Sequence, residues 1–237
     1  MAIASPGAVD RHLASQTGLM SINALAPVTL MAWINVNWNI GTTLSILGTY
    51  NTATSGGTGI QIGTRPGATA GQVAVWSWGG SILVSSAGLI TPVSNDWCHI
   101  AYTFDGTTHK LYIDGVLANT SVTPQQAGTI TAVYVNGYPT GNDSETGNFE
   151  VDDISYYDRE LTANEVLTAY TTGGDKDGIV YGRTANFLCN EGIIGSTVTA
   201  VTDMSGLMNT LTPVGTATGS NFIYTVSPIN RDTRPPL

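Results

Sequence analysis

Between Trp97 and Gly115 the chain alternates apolar and polar positions with a period of two, twice in succession. In the first run Ile100, Tyr102 and Phe104 share one face, and His99, Ala101 and Thr103 share the other. In the second, Leu111 and Ile113 point one way while Lys110 and Tyr112 point the other. Asp105-Gly106 and Asp114-Gly115 bound the runs, and glycine accepts the positive φ that tight hairpin turns need. Val28–Val36 alternates in the same way, with Val28, Leu30, Ala32, Ile34 and Val36 opposite Met31 and Trp33. Further strands are expected at residues 44–50, 59–63, 72–78, 82–84, 133–137 and 149–157. Residues 1–27 read as loosely structured, with apolar positions at Leu19, Ile22 and Leu25. Turn signals recur roughly every ten residues, which predicts stacked antiparallel sheets and not a βαβ fold. One helix is expected near 162–172. Thr162 and Glu165 have the spacing of a capping box, Leu161 and Val166 that of a hydrophobic staple, and Gly173 sits where the helix should stop.

Three motifs carry a resemblance. Trp97-x-His99-Ile-Ala-x-Thr-x-Asp105-Gly106, followed by Leu111-Tyr-Ile-Asp-Gly115, resembles the core hairpin of laminin-G-like domains of the concanavalin A-like lectin/glucanase superfamily. Asp152-Asp153-Ile-x-x-Tyr-x-Arg159-x-Leu-Thr-x-x-Glu165-Val resembles that family's closing strand and short helix, and Thr29-Leu-x-Ala-Trp-Ile34 is similar to its early strand. The resemblance spans about residues 28–172. It implies an all-β fold: an antiparallel two-sheet jelly-roll sandwich, concanavalin A-like, with one short helix.

The expected organisation is a sandwich over residues 1–175 and a C-terminal extension over 176–237. Asn186-Phe-Leu-Cys-Asn-Glu-Gly192 and Val201-Thr-Asp-Met-Ser-Gly206 look like a segment that in the family precedes the first strand. Here it comes last. Either it completes the sheets of its own domain, or it reaches a neighbouring subunit as an added edge strand.

Composition narrows the function classes. The net charge is −9 and only 11% of residues are charged, against a usual ~25%. The lysines are Lys110 and Lys176 alone, and the arginines are scattered, so no basic stripe exists for nucleic acid or an anionic membrane. The start Met-Ala-Ile-Ala-Ser-Pro-Gly lacks a secretory pattern, and no apolar run is long enough to span a bilayer. Synthesis in a cytoplasm without export is therefore the expectation. Cys98 and Cys189 could pair, although two buried free thiols suit a reducing compartment better.

The candidate chemistry is sparse. The fold includes glycoside hydrolases, whose β-glucan-cleaving members carry a Glu-hydrophobic-Asp-x-x-Glu strand, with the paired acids ~5–5.5 Å apart in retaining enzymes. Here Glu150-Val-Asp152 is followed by Ser155 where the second Glu would stand, so no catalytic residue is expected and the protein reads as a non-enzyme. His99 suits a hydrogen-bonded structural role, and His109, at a hairpin turn, is expected in solvent. The resemblance implies that calcium, if any ion, would be held by rim-loop oxygens, for which Asn142, Asp143, Glu145 and Asp152 are the candidates. Trp76 and Trp78 on one strand face, with Tyr138 in a loop, are the candidates for a sugar platform. Packing between the sheets is the plainer role for the two tryptophans.

These features together suggest a structural or adhesive virion component, of the bacteriophage capsid-decoration or fibre type. It would be made in the host cytoplasm and held by contacts with its own copies and other virion proteins. The alternative is a carbohydrate-binding module, possible on host-surface glycans and in a calcium-dependent form.

Overall fold

The computed structural model describes residues 2–4, 12–15, 21–36, 43–51, 59–64, 72–77, 82–85, 97–136, 147–173, 178–189, 197–207, 209–214 and 222–225. In chain order the strands are β1 (Ala2–Ala4), β2 (His12–Ser15), β3 (Ile22–Asn23), β4 (Val28–Val36), β5 (Leu44–Tyr50), β6 (Ile60–Thr64), β7 (Ala74–Ser77), β8 (Ile82–Ser85) and β9 (Trp97–Phe104). There follow β10 (His109–Ile113), β11 (Val116–Ser121), β12 (Thr129–Ile130), β13 (Ala132–Val135), β14 (Phe149–Tyr157), α1 (Ala163–Thr172), β15 (Arg183–Phe187), β16 (Leu211–Val214) and β17 (Ile223–Thr225).

The first sheet runs β11-β10-β9-β4-β14-β1-β17, with β15 also on β14, and the second runs β16-β2-β13-β5-β6-β7-β8. The pairings are antiparallel. Period-two alternation sorts side chains between two compartments. Val28, Leu30, Ala32, Ile34 and Val36 of β4, with Ile100, Tyr102, Phe104, Leu111 and Ile113, join Ile46, Ile60, Ile62, Val133 and Val135 in the core between the sheets. The opposite faces of the same strands supply Met31, Ala101, Tyr112 and Tyr157, which pack with Leu161, Val166, Ala169 and Ile179 beneath α1. Each fully buried Leu, Ile or Val contributes about 1.5–3 kcal/mol, so both compartments favour a single register.

The helix forms as its sequence dictates. The Thr162 hydroxyl accepts from the Glu165 amide at 3.3 Å, and the Glu165 carboxylate accepts from the Thr162 amide at 2.8 Å. Leu161 and Val166 are both buried at the staple positions. Gly173, at φ 82°, ends the helix with its amide on the Ala169 carbonyl.

Two readings of the sequence change. Residues 1–27 are not loosely structured throughout: β1 lies against β14, β2 against β13, and β3 against β12. His109 is not in solvent but fully buried. It stands opposite Phe104 and shares the inward parity of Leu111 and Ile113. Its ring stacks on Phe104 at 4.5 Å, and its Nε2 lies 2.7 Å from the Thr123 carbonyl, which only accepts. Nε2 therefore carries the proton, and in the neutral ring Nδ1 accepts the Tyr102 hydroxyl at 2.8 Å. Burial pushes the His109 pKa down, against the opposing pull of the Thr123 carbonyl and Asp105. Cys98 and Cys189 are both buried free thiols, the arrangement the sequence favoured.

The C-terminal third adds strands to the sandwich. β15 pairs with the second half of β14, β1 with its first half, β17 with β1, and β16 with β2. The edge of β15 away from β14 is closed by a turn built on Asp203. The buried Asp203 carboxylate accepts the Asn186 and Ser205 amides on Oδ1, each at 2.9 Å. Its Oδ2 accepts the Ser205 hydroxyl at 2.8 Å and the Asn209 amide at 3.0 Å. The Met204 amide donates to the Asn186 carbonyl at 2.7 Å. Removing this acceptor strands several buried donors, so Asp203→Ala should destabilise the fold by about 2–4 kcal/mol and Asp203→Asn by roughly half as much. Urea unfolding followed by tryptophan fluorescence measures both, and an unchanged midpoint in Asp203→Ala would remove the Asp203 turn from the account of edge closure.

Candidate functional site

The side chains that could meet a partner stand where β14 leaves the sheet and the chain returns as β15. Thr29 of β4 pins the exit: its hydroxyl donates to the Arg159 carbonyl at 3.0 Å and accepts the Leu161 amide at 2.9 Å. Arg159 is the hub. Its guanidinium meets the Glu165 carboxylate twice, Nη2 to Oε1 at 2.6 Å and Nη1 to Oε2 at 3.1 Å. It also lies 5.9 Å from the Tyr157 ring centroid and 5.5 Å from that of Tyr181. Its Nε donates to the Tyr181 carbonyl at 2.8 Å. Arg183 approaches Tyr157 as well, 5.3 Å from the ring centroid, with Nε donating to the Tyr157 hydroxyl at 2.9 Å. Nearby, Lys110 pairs with Glu160 at 2.6 Å.

This network holds a turn at residues 178–182 in which Ile179 is buried beneath α1 while Val180 and Tyr181 face outward. Tyr181 is 81% exposed and Val180 74%. The Asp203 turn, tied to the Thr184 carbonyl by the Asn209 side-chain amide at 2.6 Å, presents Met204 and Leu207, 57% and 54% exposed. Sequence reasoning overlooked this surface. The readable signal was an apolar pair, Val180-Tyr181, set between Gly178 and Gly182 in a segment too short to bury it.

The expected sugar platform is not assembled among the described residues. Trp76 is fully buried, so its ring offers no face for stacking. It also lies outside the inter-sheet core that contains its neighbours Val73 and Val75, because alternation along β7 puts it on the other side of the sheet. Trp78 and Tyr138 lie outside the described residues. Trp33 is buried and stacks on Tyr170 of α1 at 5.4 Å, while Trp97 is half-buried at the start of β9.

Of the calcium candidates, Asn142, Asp143 and Glu145 lie outside the described residues. The residues that flank them in the chain are joined, the Gly147 amide donating to Asn136 Oδ1 at 3.2 Å. Asp152 is the described candidate. It is 1% exposed, opposite Trp33 within the sheet, and its Oδ1 accepts the Asp153 amide at 2.9 Å. Asp153, at φ 50°, is the extra residue of a bulge in β14, and Asp152 is engaged in shaping it. Among the described residues no three His, Cys, Asp or Glu side chains are grouped to hold a metal ion.

The carboxylates weighed for hydrolysis are likewise engaged. Glu150 Oε2 accepts from Asn35 Nδ2 at 3.1 Å, and Ser155 donates to Asn186 Oδ1 at 3.0 Å. No helix among the described residues is long and apolar enough to cross a membrane.

The architecture defines a class, the two-sheet antiparallel sandwich, and the sequence places the chain within it. A laminin-G family model, described as concanavalin A-like lectin/glucanases superfamily, matches residues 9–167. This is more than half of the chain, and the chain belongs to that family. No curated protein sequence matches it. Among solved structures it is similar to a candidate carbohydrate-binding protein from Bacteroides ovatus, at a TM-score of 0.63 and 15% identity, over 98% of this chain and 62% of that one. It thus spans under two thirds of the Bacteroides protein. It is also similar to a heptameric SAP-like pentraxin from Limulus polyphemus, at a TM-score of 0.56 and 17% identity, over 73% of this chain and 82% of that one. A third likeness is to the binding domain of botulinum neurotoxin serotype G, at 0.50 and 14%, over 71% and 46%. At these identities the likeness is one of fold.

The Arg159 contact has a consequence for acid stability. Hydrogen bonding from Arg159 lowers the Glu165 pKa from its ordinary 4.5 to about 2, with the Thr162 groups helping and partial burial opposing. A depressed carboxylate favours the fold above its unfolded pKa and loses that contribution as pH falls through the folded value. Thermal melting should therefore show stability declining from about pH 5 towards pH 2, and Glu165→Gln should be less stable at pH 7 with a shallower acid limb. Parallel pH profiles of the two proteins would discard this coupling.

Proposed function

We propose that this protein is a non-enzymatic adhesive module, acting in the manner of a capsid-decoration or fibre-type protein on a virus particle. Its partners in this reading are copies of itself and other proteins of that particle. The observation that carries the reading is the margin beside β15, where Val180, Met204 and Leu207 stand exposed on turns whose backbones are tied down. Aromatic side chains and methionine are enriched in the contact cores of protein interfaces, and lysine is depleted there. A surface of this composition on fixed turns loses little freedom on docking. The engagement of Glu150, Asp152, Glu160 and Glu165 in structural contacts supports a binding role over a hydrolytic one.

Glycan binding is the second reading. It is favoured by the exposed Tyr181 ring and by the carbohydrate-binding description of the Bacteroides ovatus neighbour. The two readings are compatible where the particle is held through Val180, Met204 and Leu207 and the glycan through Tyr181.

Sedimentation velocity at micromolar concentration, alone and with purified phage particles, tests the first reading. Self-association or co-sedimentation is expected, and the double variant Val180→Ser/Leu207→Ser should weaken it. A strictly monomeric protein that leaves the particles untouched would exclude the decoration role.

A further inference from the structure

We propose that Tyr181 and Asp158 together form a subsite for a neutral pyranose with two adjacent free hydroxyls. The inference rests on the glycan reading above and gives it a location. Tyr181 is the most exposed large apolar side chain among the described residues, at 81%. An exposed tyrosine usually moves freely, but this one does not stand on a free backbone. The Arg183 amide donates to the Val180 carbonyl at 3.2 Å, the Asp158 amide to the Gly182 carbonyl at 2.9 Å, and Arg159 Nε to the Tyr181 carbonyl. The Arg159 guanidinium lies 5.5 Å from the Tyr181 ring centroid and is itself clamped by Glu165. A cation held at a ring leaves the solvent side of that ring for a further partner.

Asp158 supplies the polar half. It is exposed, its side chain leans over Gly182, and a Cβ at Gly182 would lie 2.9 Å from Asp158 Oδ1. Gly182 has φ 74°, a conformation that calls for glycine, and the absent side chain leaves room for the Asp158 carboxylate. A carboxylate with two acceptor oxygens therefore sits beside Gly182, the chain neighbour of the exposed Tyr181. That pairing suits a sugar. The C–H face of a pyranose stacks on the ring, and two neighbouring hydroxyls donate to the two oxygens. A protein partner covering Tyr181 would instead have to bury the Asp158 charge or provide a cation for it. The same charge disfavours acidic sugars, because Arg159, the cation nearest the ring, is committed to Glu165. The ligand class is thus a neutral hexose, and uronic or sialic acids are disfavoured.

The test is titration calorimetry of the full chain with hexaoses of glucose, mannose, galactose and N-acetylglucosamine, and with sialyllactose as the acidic probe. Tyr181 and Asp158 are exposed, so the variants should fold, and melting curves check this. Binding of at least one neutral hexaose is expected. Tyr181→Ala should weaken it about tenfold or more and Tyr181→Phe by less than about threefold, since the ring and not the hydroxyl does the stacking. Asp158→Asn, which exchanges an acceptor for a donor, should also weaken it about tenfold. A neutral hexaose bound equally by wild type and Tyr181→Ala would overturn this subsite and leave the glycan reading standing. Preference for sialyllactose would overturn the subsite as well. Failure of wild type to bind any neutral hexaose would overturn the subsite and the glycan reading together.

Discussion

The central strands of the first sheet are buried on both faces, and that constraint governs the rest of the molecule. In β4 the residues from Val28 to Ile34 are all buried, whichever way they point. One face meets the second sheet. The other carries Met31, Trp33, Ala101, Tyr112 and Tyr157, which need a cover of their own. The chain provides it between β14 and β15, with the Leu161 staple, α1 and Ile179 laid over those side chains. Thr29 fixes where this cover begins, and Arg159 binds its two ends by reaching both Glu165 in the helix and the Tyr181 carbonyl in the returning turn. The exposed margin at Tyr181 is thus a by-product of closing the outer face. A turn is needed to bring the chain back to β15, and the covering layer holds that turn still.

What could be read from the sequence was what depends on near neighbours along the chain. The period-two pattern of β4, β9 and β10 set both compartments, and the Thr162–Glu165 box with Gly173 set the helix, because each acts within a few residues. The same local logic, carried one step further, would have placed His109 inside. It has the parity of Leu111 and Ile113, but its imidazole and its position beside a turn suggested solvent. The structure accepts it because the Thr123 carbonyl and the Tyr102 hydroxyl satisfy both ring nitrogens, and those partners are distant enough in sequence to leave no pattern. Trp76 is a different case. Alternation does put it opposite Val73 and Val75, but no local signal says that this second face is also covered.

Buried polar groups do much to determine how the later strands dock. Gln125 links the interior network to the early chain, with Nε2 donating to the Ala24 carbonyl at 2.8 Å and Oε1 facing the Tyr102 hydroxyl at 3.3 Å. Asp203 does similar work for β15. Its four accepted hydrogen bonds tie residues 186, 205 and 209 into one unit. Apolar burial alone would tolerate a shifted β15, since Ala185 and Phe187 could face inward from more than one pairing. A carboxylate that must find all its donors accepts only one, because a buried acceptor left unmade costs more than a made bond gains. The Asp-x-Ser-Gly segment was noticed in the sequence for its unusual position in the chain, and its physical role is to fix the register of a late strand.

The margins of the first sheet lead to the functional argument. An open strand edge invites any extended chain to pair with it through backbone hydrogen bonds, which carry little information about sequence. At β15 the Asp203 turn occupies that edge. At the far end of the sheet β11 breaks its ladder with β10 by a register shift between Leu111 and Tyr112, and a bulged edge is a poorer template. With backbone pairing discouraged at both places, recognition falls to side chains raised on the turns. Discrimination then rests on shape and on the few polar atoms beside an apolar face.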